Sequence, residues 1–308
     1  MRILILGAGG TGGYFGGRLA QAGADVTFLV RPGRAAELAA HGLVIKSARG
    51  DLQMPVQYTT ADGLAPVDLV LLSCKAYDLD SAIEAIAPAV GPDTAVLPIL
   101  NGLRHYDRLD AAFGRDRVLG GLCLISVVKG PEGEIRHLSD FHTLVFGERD
   151  AQTPAARCLA IAERFAGANF ETRQSDDVMQ DVWEKYVFLT ALAASTCLMR
   201  ASIGAIMATD EGRWMMETIY AECEAVAGAG GYVMREAARK AALKTLTAPG
   251  SPMTASMLRD LEAGYRIEGE HIVGDMIRRG QLAGVEMPVL RVAWCHLQAY
   301  LARRDSAA

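Results

Sequence analysis

Two of the six lysines in this chain, Lys75 and Lys185, stand where an ammonium can act on a reacting group. A helix is expected from near Asp177, and residues 186–199 carry no charge, so this helix runs through a core with Lys185 at its threshold. Val182, Phe188 and Leu189 share the face of Lys185, with Asp181 one turn back. A partly desolvated ammonium in that setting gives up a proton more readily near neutral pH. The spacing equally fits a lysine that reaches solvent or pairs with Asp181. Lys75 follows the apolar residues 68–73 (DLVLLS), and Asn101 with Gly102 follows residues 95–100. If both runs are parallel strands, these residues lie at carboxyl ends, where an open α/β sheet binds its ligand, although a cap or turn role fits either one as well. Glu262, Glu268, Glu270 and Asp275 lie on a stretch read as a helix continuing to Arg279. Glu268 is placed to face a cleft, but spacing does not choose it over the other three.

Groups that bind rather than react open the chain. Residues 1–12 read MRILILGAGGTG, with Gly7, Ala8, Gly9, Gly10, Thr11 and Gly12 following a buried-strand pattern and preceding a small-residue helix at 11–22. In the GxGxxG spacing Gly7 makes the tight turn, Gly9 lets the backbone approach a pyrophosphate, and Gly12 lets the helix sit against the strand. The phosphates then meet the unpaired N–H groups of the helix N-terminus. Residues 25–30 (DVTFLV) form the second strand, whose end carries an acidic residue in an NAD site; here Arg31 stands there, with Arg34 one turn on. Two guanidinium groups suit a 2′-phosphate, so the cofactor expected is NADP(H). The alternative is a pair of solvated loop charges.

The elements needed to position these groups are legible in the pattern. Strands alternate with helices through the first half: strand-like runs at 43–46, 52–57, 68–73 and 95–100, and helices near 34–40 and 80–87. Runs at 118–128 and 134–138 flank KGPEG as a hairpin, 143–146 is placed to return beside it, and a helix at 153–167 precedes a short strand at 170–173. From 176 onward the pattern is helical, broken at 202–204, 228–231, 249–252 and 280–288. The fold expected is α/β: an N-terminal Rossmann-type doubly wound sheet with added antiparallel strands (1–175), plus an all-α C-terminal domain (176–308), the default ligand site lying between them. A net charge of −5 gives no footprint for nucleic acid or an anionic membrane, so the partner expected is a small molecule. No basic leader precedes the first strand and no apolar run reaches a membrane span, which makes a cytoplasmic chain the expectation. Cys74, Cys123, Cys158, Cys197, Cys223 and Cys295 are scattered and read as reduced core thiols, with no metal expected.

GAGGTG, Arg31, SCKAYD with Lys75, LNG with Asn101, WEKYVF with Lys185 and SMLRDLEAGYRIE at 256–268 occur in this order across nearly the whole chain. In that combination the sequence resembles the ketopantoate reductase (2-dehydropantoate 2-reductase) family. The resemblance implies that Lys185 is the proton donor, that Lys75 and Asn101 line the cofactor and substrate cleft, that Ser256 contacts substrate, and that Glu268 reaches the cofactor and active site. It also implies asparagines one and two turns after the lysine, and another further on, holding the hydroxyl end of ketopantoate. Leu189, Ala193 and Ile203 stand at those places. Aliphatic groups leave a buried hydroxyl unmet, so the expected reaction is NADPH-dependent reduction of a 2-oxo acid, ketopantoate or a more apolar branched one. A β-hydroxyacid dehydrogenase and a cofactor-binding sensor without turnover are the competing readings, and a homodimer is left open.

Overall fold

The computed structural model describes residues 1–60, 63–150, 153 and 155–306, and its chain divides into two compact units. One comprises Met1–Leu100 and His105–Met179, the other Asn101–Arg104 and Gln180–Ala308. The division thus falls inside a helix rather than at 175/176, and the four residues Asn101–Arg104 join the helical unit. Packing explains the shift: a Cβ added to Gly120 would lie 3.0 Å from Val178 Cγ2, and one on Gly147 would lie 3.3 Å from Val178 Cβ. The first turn of that helix is therefore part of the first unit's core.

In the first unit β1 (Arg2–Leu6), α1 (Gly10–Gln21), β2 (Asp25–Leu29) and α2 (Pro32–His41) follow in order. β3 (Leu43–Lys46), β4 (Leu52–Met54), β5 (Gln57–Thr59), β6 (Leu69–Leu72), α3 (Leu79–Ile86), β7 (Ala95–Pro98) and α4 (Arg104–Phe113, from His105) come next. The order β5-β2-β1-β6-β7, parallel throughout, is that of a doubly wound sheet. Every residue of β6 and β7 is buried, which is why both read as unbroken apolar runs.

The added strands form a second sheet of their own. β8 (Gly120–Lys129) and β9 (Ile135–Gly147) make the antiparallel hairpin around KGPEG. Residues 143–146 continue β9 instead of returning as a separate strand, because residues 138–141 bulge opposite Ser126 and pairing resumes at Ile125 and His142. After α5 (Ala156–Phe165), β10 (Glu171–Gln174) runs parallel to one half of β9, β3 runs parallel to the other half, and β4 is antiparallel to β3. The run at 52–57 is split at Pro55, which cannot donate to a ladder, and its two halves enter different sheets. α1 lies against both sheets: a Cβ on Gly16 would stand 2.7 Å from Phe28, and one on Gly17 would stand 2.6 Å from Leu43. The helix also carries Arg18, which the small-residue reading passes over; it is buried, donates to Gly50 O and Gln21 Oε1, and lies over the Tyr14 ring.

Tyr14 points from α1 into the second sheet, where its hydroxyl and His142 Nδ1 are hydrogen-bonded at 2.7 Å. His142 stacks on His137, with ring centroids 5.6 Å apart. Burial, then the nearby His137 and Arg49, hold the His142 pKa below its ordinary 6.5. A depressed histidine favours the neutral form in the fold, so its stabilisation is complete above the unfolded value and is lost as pH falls through the folded one. The melting temperature is therefore expected to drop as pH is lowered below about 6.5, and to drop less in His142→Gln. Identical pH dependence in the two proteins would contradict this.

The second unit contains α6 (Val178–Met199, from Gln180), α7 (Ile203–Met207), α8 (Gly212–Ala229), α9 (Glu236–Leu246) and α10 (Ser256–Glu262). A π turn at Glu270–Gly274 then runs into α11 (Asp275–Leu282), followed by α12 (Pro288–Ser306). Among its described residues there is no strand. Glu268 precedes the turn rather than lying on a continuous helix, its carbonyl accepting from His271 N and Ile272 N. Two of the helix starts are capped by side chains of this unit, those of α7 and α12. Ser202 accepts from Ala205 N at 3.3 Å, and the buried Glu222 carboxylate accepts from Val289 N and Leu290 N at 3.0 and 2.7 Å. Among the six cysteines, Cys123, Cys158, Cys197 and Cys223 are buried, but Cys74 is half-buried and Cys295 exposed, so the core reading fails for those two. No described helix is long and apolar enough to cross a membrane, and no described group of three or more His, Cys, Asp or Glu is arranged to hold a metal.

Candidate active site

The glycine loop has the shape of a phosphate cradle. Gly7 takes φ +85° and donates its N–H to Leu29 O at 2.8 Å, turning the chain off β1. A Cβ on Gly12 would collide with Ser73 Oγ and stand 2.5 Å from Gly7 O, whereas one on Gly9 would meet nothing within 4 Å. The loop is therefore closed on the sheet side and open at the N-terminus of α1, where Ala8 is buried, Gly10 and Thr11 are half-buried, and the first turn has no acidic side chain. Open backbone N–H groups at a helix N-terminus suit a pyrophosphate.

Arg31 and Arg34 are placed differently. The Arg31 side chain is 76% exposed, with one ion pair to Asp78 at 3.2 Å. Arg34 is enclosed: Nε donates to Ala8 O at 2.9 Å, and Nη1 donates to Glu37 Oε2 at 2.6 Å and Gly133 O at 2.8 Å. Its Nη2 is sealed from solvent. Arg34 is thus a brace on the glycine loop, and Arg31 is the guanidinium open to a ligand. Lys75, half-buried, begins the short turn Ala76–Asp78, so Asp78 links that turn to Arg31 beside the loop.

In the helical unit, Lys185 Nζ donates to Asn101 Oδ1 at 3.0 Å. The two residues, 84 positions apart, meet because the segment Asn101–Arg104 belongs to this unit. Phe188 and Leu189, one turn beyond the lysine, are half-buried and apolar. Ala193 and Ile203 are fully buried, each 0% exposed. Both are sealed from solvent, and of the three aliphatic positions Leu189 alone keeps exposed surface. Ser256 is exposed at the start of α10, and Glu268 is buried. Asp181 is ion-paired with Arg235, whose guanidinium also grips Glu184 through Nε and Nη2 at 2.7 Å each. Gln180 completes this clamp by donating to Glu184 Oε1 at 3.0 Å and to Val233 O at 2.9 Å. Two residues escape notice in the sequence: Arg235, which fixes the lysine-bearing turn of α6, and His271, which lies against Gly102. Neither falls within a motif.

Comparison with known proteins identifies the family. Residues 3–151 match the family model described as ketopantoate reductase PanE/ApbA, and residues 177–301 match its C-terminal counterpart. An uncharacterized oxidoreductase of Bacillus subtilis, YkpB, is 38% identical over 99% of this chain and 100% of its own length. Among solved structures, a PanE/ApbA family ketopantoate reductase from Ralstonia eutropha superposes with a TM-score of 0.89 at 27% identity, covering 99% of this chain and 100% of the other. A D-mandelate dehydrogenase, solved with NADH and anilino(oxo)acetate, shares the fold at a TM-score of 0.88 and 19% identity, with 99% and 100% of the two chains covered. The chain belongs to the ketopantoate reductase family and is an oxidoreductase acting on CH–OH groups.

Proposed function

We propose that the protein reduces a 2-oxo acid with an apolar, branched tail to the 2-hydroxy acid, using NADPH. The observation that carries this reading is the Lys185 ammonium, held at 3.0 Å by Asn101 Oδ1 and followed on its own face by Phe188 and Leu189. When bound, the reduced nicotinamide supplies a hydride to C2 of the oxo acid. Lys185 donates a hydrogen bond to the carbonyl oxygen, stabilises the negative charge that develops there, and delivers the proton that completes the hydroxyl. Asn101 keeps the ammonium aimed, and the amine left behind regains its proton from water. Gly7, Ala8, Gly9, Gly10, Thr11 and Gly12 hold the pyrophosphate, and the family pattern assigns Lys75, Asn101 and Glu268 to the cofactor as well. Asn101, Leu189 and Ser256 face the substrate, the assignments of Ser256 and Glu268 resting on the family pattern.

Arg31 takes the 2′-phosphate in this reading, with Arg34 supporting the loop. NADPH is expected to bind at least about tenfold more tightly than NADH, and Arg31→Ala to remove most of that preference. Titration of both nucleotides tests this. Equal affinities in the unmodified protein, or a preference untouched by Arg31→Ala, would sink the assignment. The reaction itself is tested by NADPH oxidation across a panel of 2-oxo and 3-hydroxy acids.

A further inference from the structure

His271 lies in the π turn Glu270–Gly274 and is 6% exposed. The Asn101 backbone carbonyl favours a proton on this ring, as an acceptor within its reach does. The same ring fills the space beside the next residue: a Cβ on Gly102 would stand 2.8 Å from His271 Cδ2 and 3.1 Å from Nε2. Gly102 has φ +84°, the left-handed conformation that glycine adopts without a steric penalty. One imidazole thus meets both residues of the turn from which the Asn101 side chain reaches Lys185 Nζ at 3.0 Å. The backbone N–H of His271 is in turn tied to Glu268 O at 3.1 Å, so the ring is anchored at its own end.

We propose that His271 is a positioning residue for proton transfer: its ring holds the Asn101–Gly102 turn so that Asn101 Oδ1 orients the Lys185 ammonium. The inference rests on the reading of Lys185 as proton donor. Burial holds the His271 pKa below its ordinary value, with Glu268 and Asp275 acting against that shift and Arg104 with it. The ring is accordingly neutral near pH 7 and adds no positive charge beside the lysine. A π turn inside a helical segment is a common device at functional sites, and here it brings His271 to the Asn101–Gly102 turn.

The test is steady-state kinetics with NADPH and a 2-oxo acid on His271→Phe, His271→Asn and His271→Gln, with Lys185→Ala measured beside them. His271→Phe keeps a ring but no donor, and it is expected to lower kcat roughly ten- to a hundredfold while KM changes less than about threefold. NADPH affinity by fluorescence titration and the melting temperature should stay near those of the unmodified protein. At least one of the Asn and Gln variants, which keep an N–H donor, should recover most of the loss. If Lys185→Ala is inactive but His271→Phe keeps full kcat, the role of His271 is overturned and the lysine reading stands. If Lys185→Ala stays active, the lysine reading falls and this inference with it. Should His271→Phe fail to fold, the amide variants decide, since folded proteins that both turn over as slowly as Lys185→Ala would overturn the donor role.

Discussion

Lys185→Ala is expected to lower turnover by about 10²- to 10⁴-fold, the usual worth of a positioned general acid, while leaving NADPH affinity within about twofold. The separation follows from position. Lys185 belongs to the helical unit and its Nζ is bonded to Asn101 Oδ1, whereas the glycine loop at Gly7 to Gly12, proposed to hold the pyrophosphate, is part of the other unit. An ammonium that interacts with charge developing on the oxo acid's oxygen acts mainly in the transition state, so its removal lowers kcat rather than ground-state binding. Steady-state kinetics and nucleotide titration on the same preparation separate these terms. A variant keeping more than about a tenth of the original turnover would show that the proton comes from elsewhere.

Leu189→Asn is expected to move substrate preference toward ketopantoate. Leu189 is half-buried, one turn beyond Lys185 and on its face, so under the proposed function it adjoins the tail of a substrate whose carbonyl meets the lysine. A ketopantoate hydroxyl buried against leucine goes without a partner, which costs about 1–3 kcal/mol, or roughly ten- to a hundredfold in kcat/KM. Asparagine restores a donor and an acceptor, and the ratio of kcat/KM for ketopantoate to that for its hydroxyl-free analogue, trimethylpyruvate, should rise by a comparable factor. The same change at position 193 should fail, because Ala193 is fully buried and a larger amide there would have to be accommodated in the core. An unchanged ratio in Leu189→Asn would remove Leu189 from the specificity wall.

Much of the fold and of the candidate site is legible in the chain because the local signals are strong. The glycine spacing, the buried runs that form β1, β6 and β7, and the uncharged stretch after Lys185 each have one cheap structural solution. What the chain does not announce is set by tertiary packing. Arg34 reads like Arg31 in a sequence, and only the Ala8 and Gly133 carbonyls reveal it as a brace. The segment Asn101–Arg104 follows β7 in the chain but belongs with the helices, which no periodicity signals. The π turn at Glu270–Gly274 interrupts a stretch whose composition is simply helical, so Glu268 before it reads as part of a helix and His271 within it carries no mark. Ala193 has the expected spacing for a wall of the site, but spacing carries no information about which faces are sealed.

The central claim is reduction of an apolar branched 2-oxo acid by NADPH, and the most direct measurement compares NADPH oxidation by the unmodified protein with trimethylpyruvate and with ketopantoate. Under the proposed function trimethylpyruvate is expected to match or exceed ketopantoate in kcat/KM. Efficient reduction of ketopantoate with selection against trimethylpyruvate, or no oxidation of NADPH by either, would contradict it.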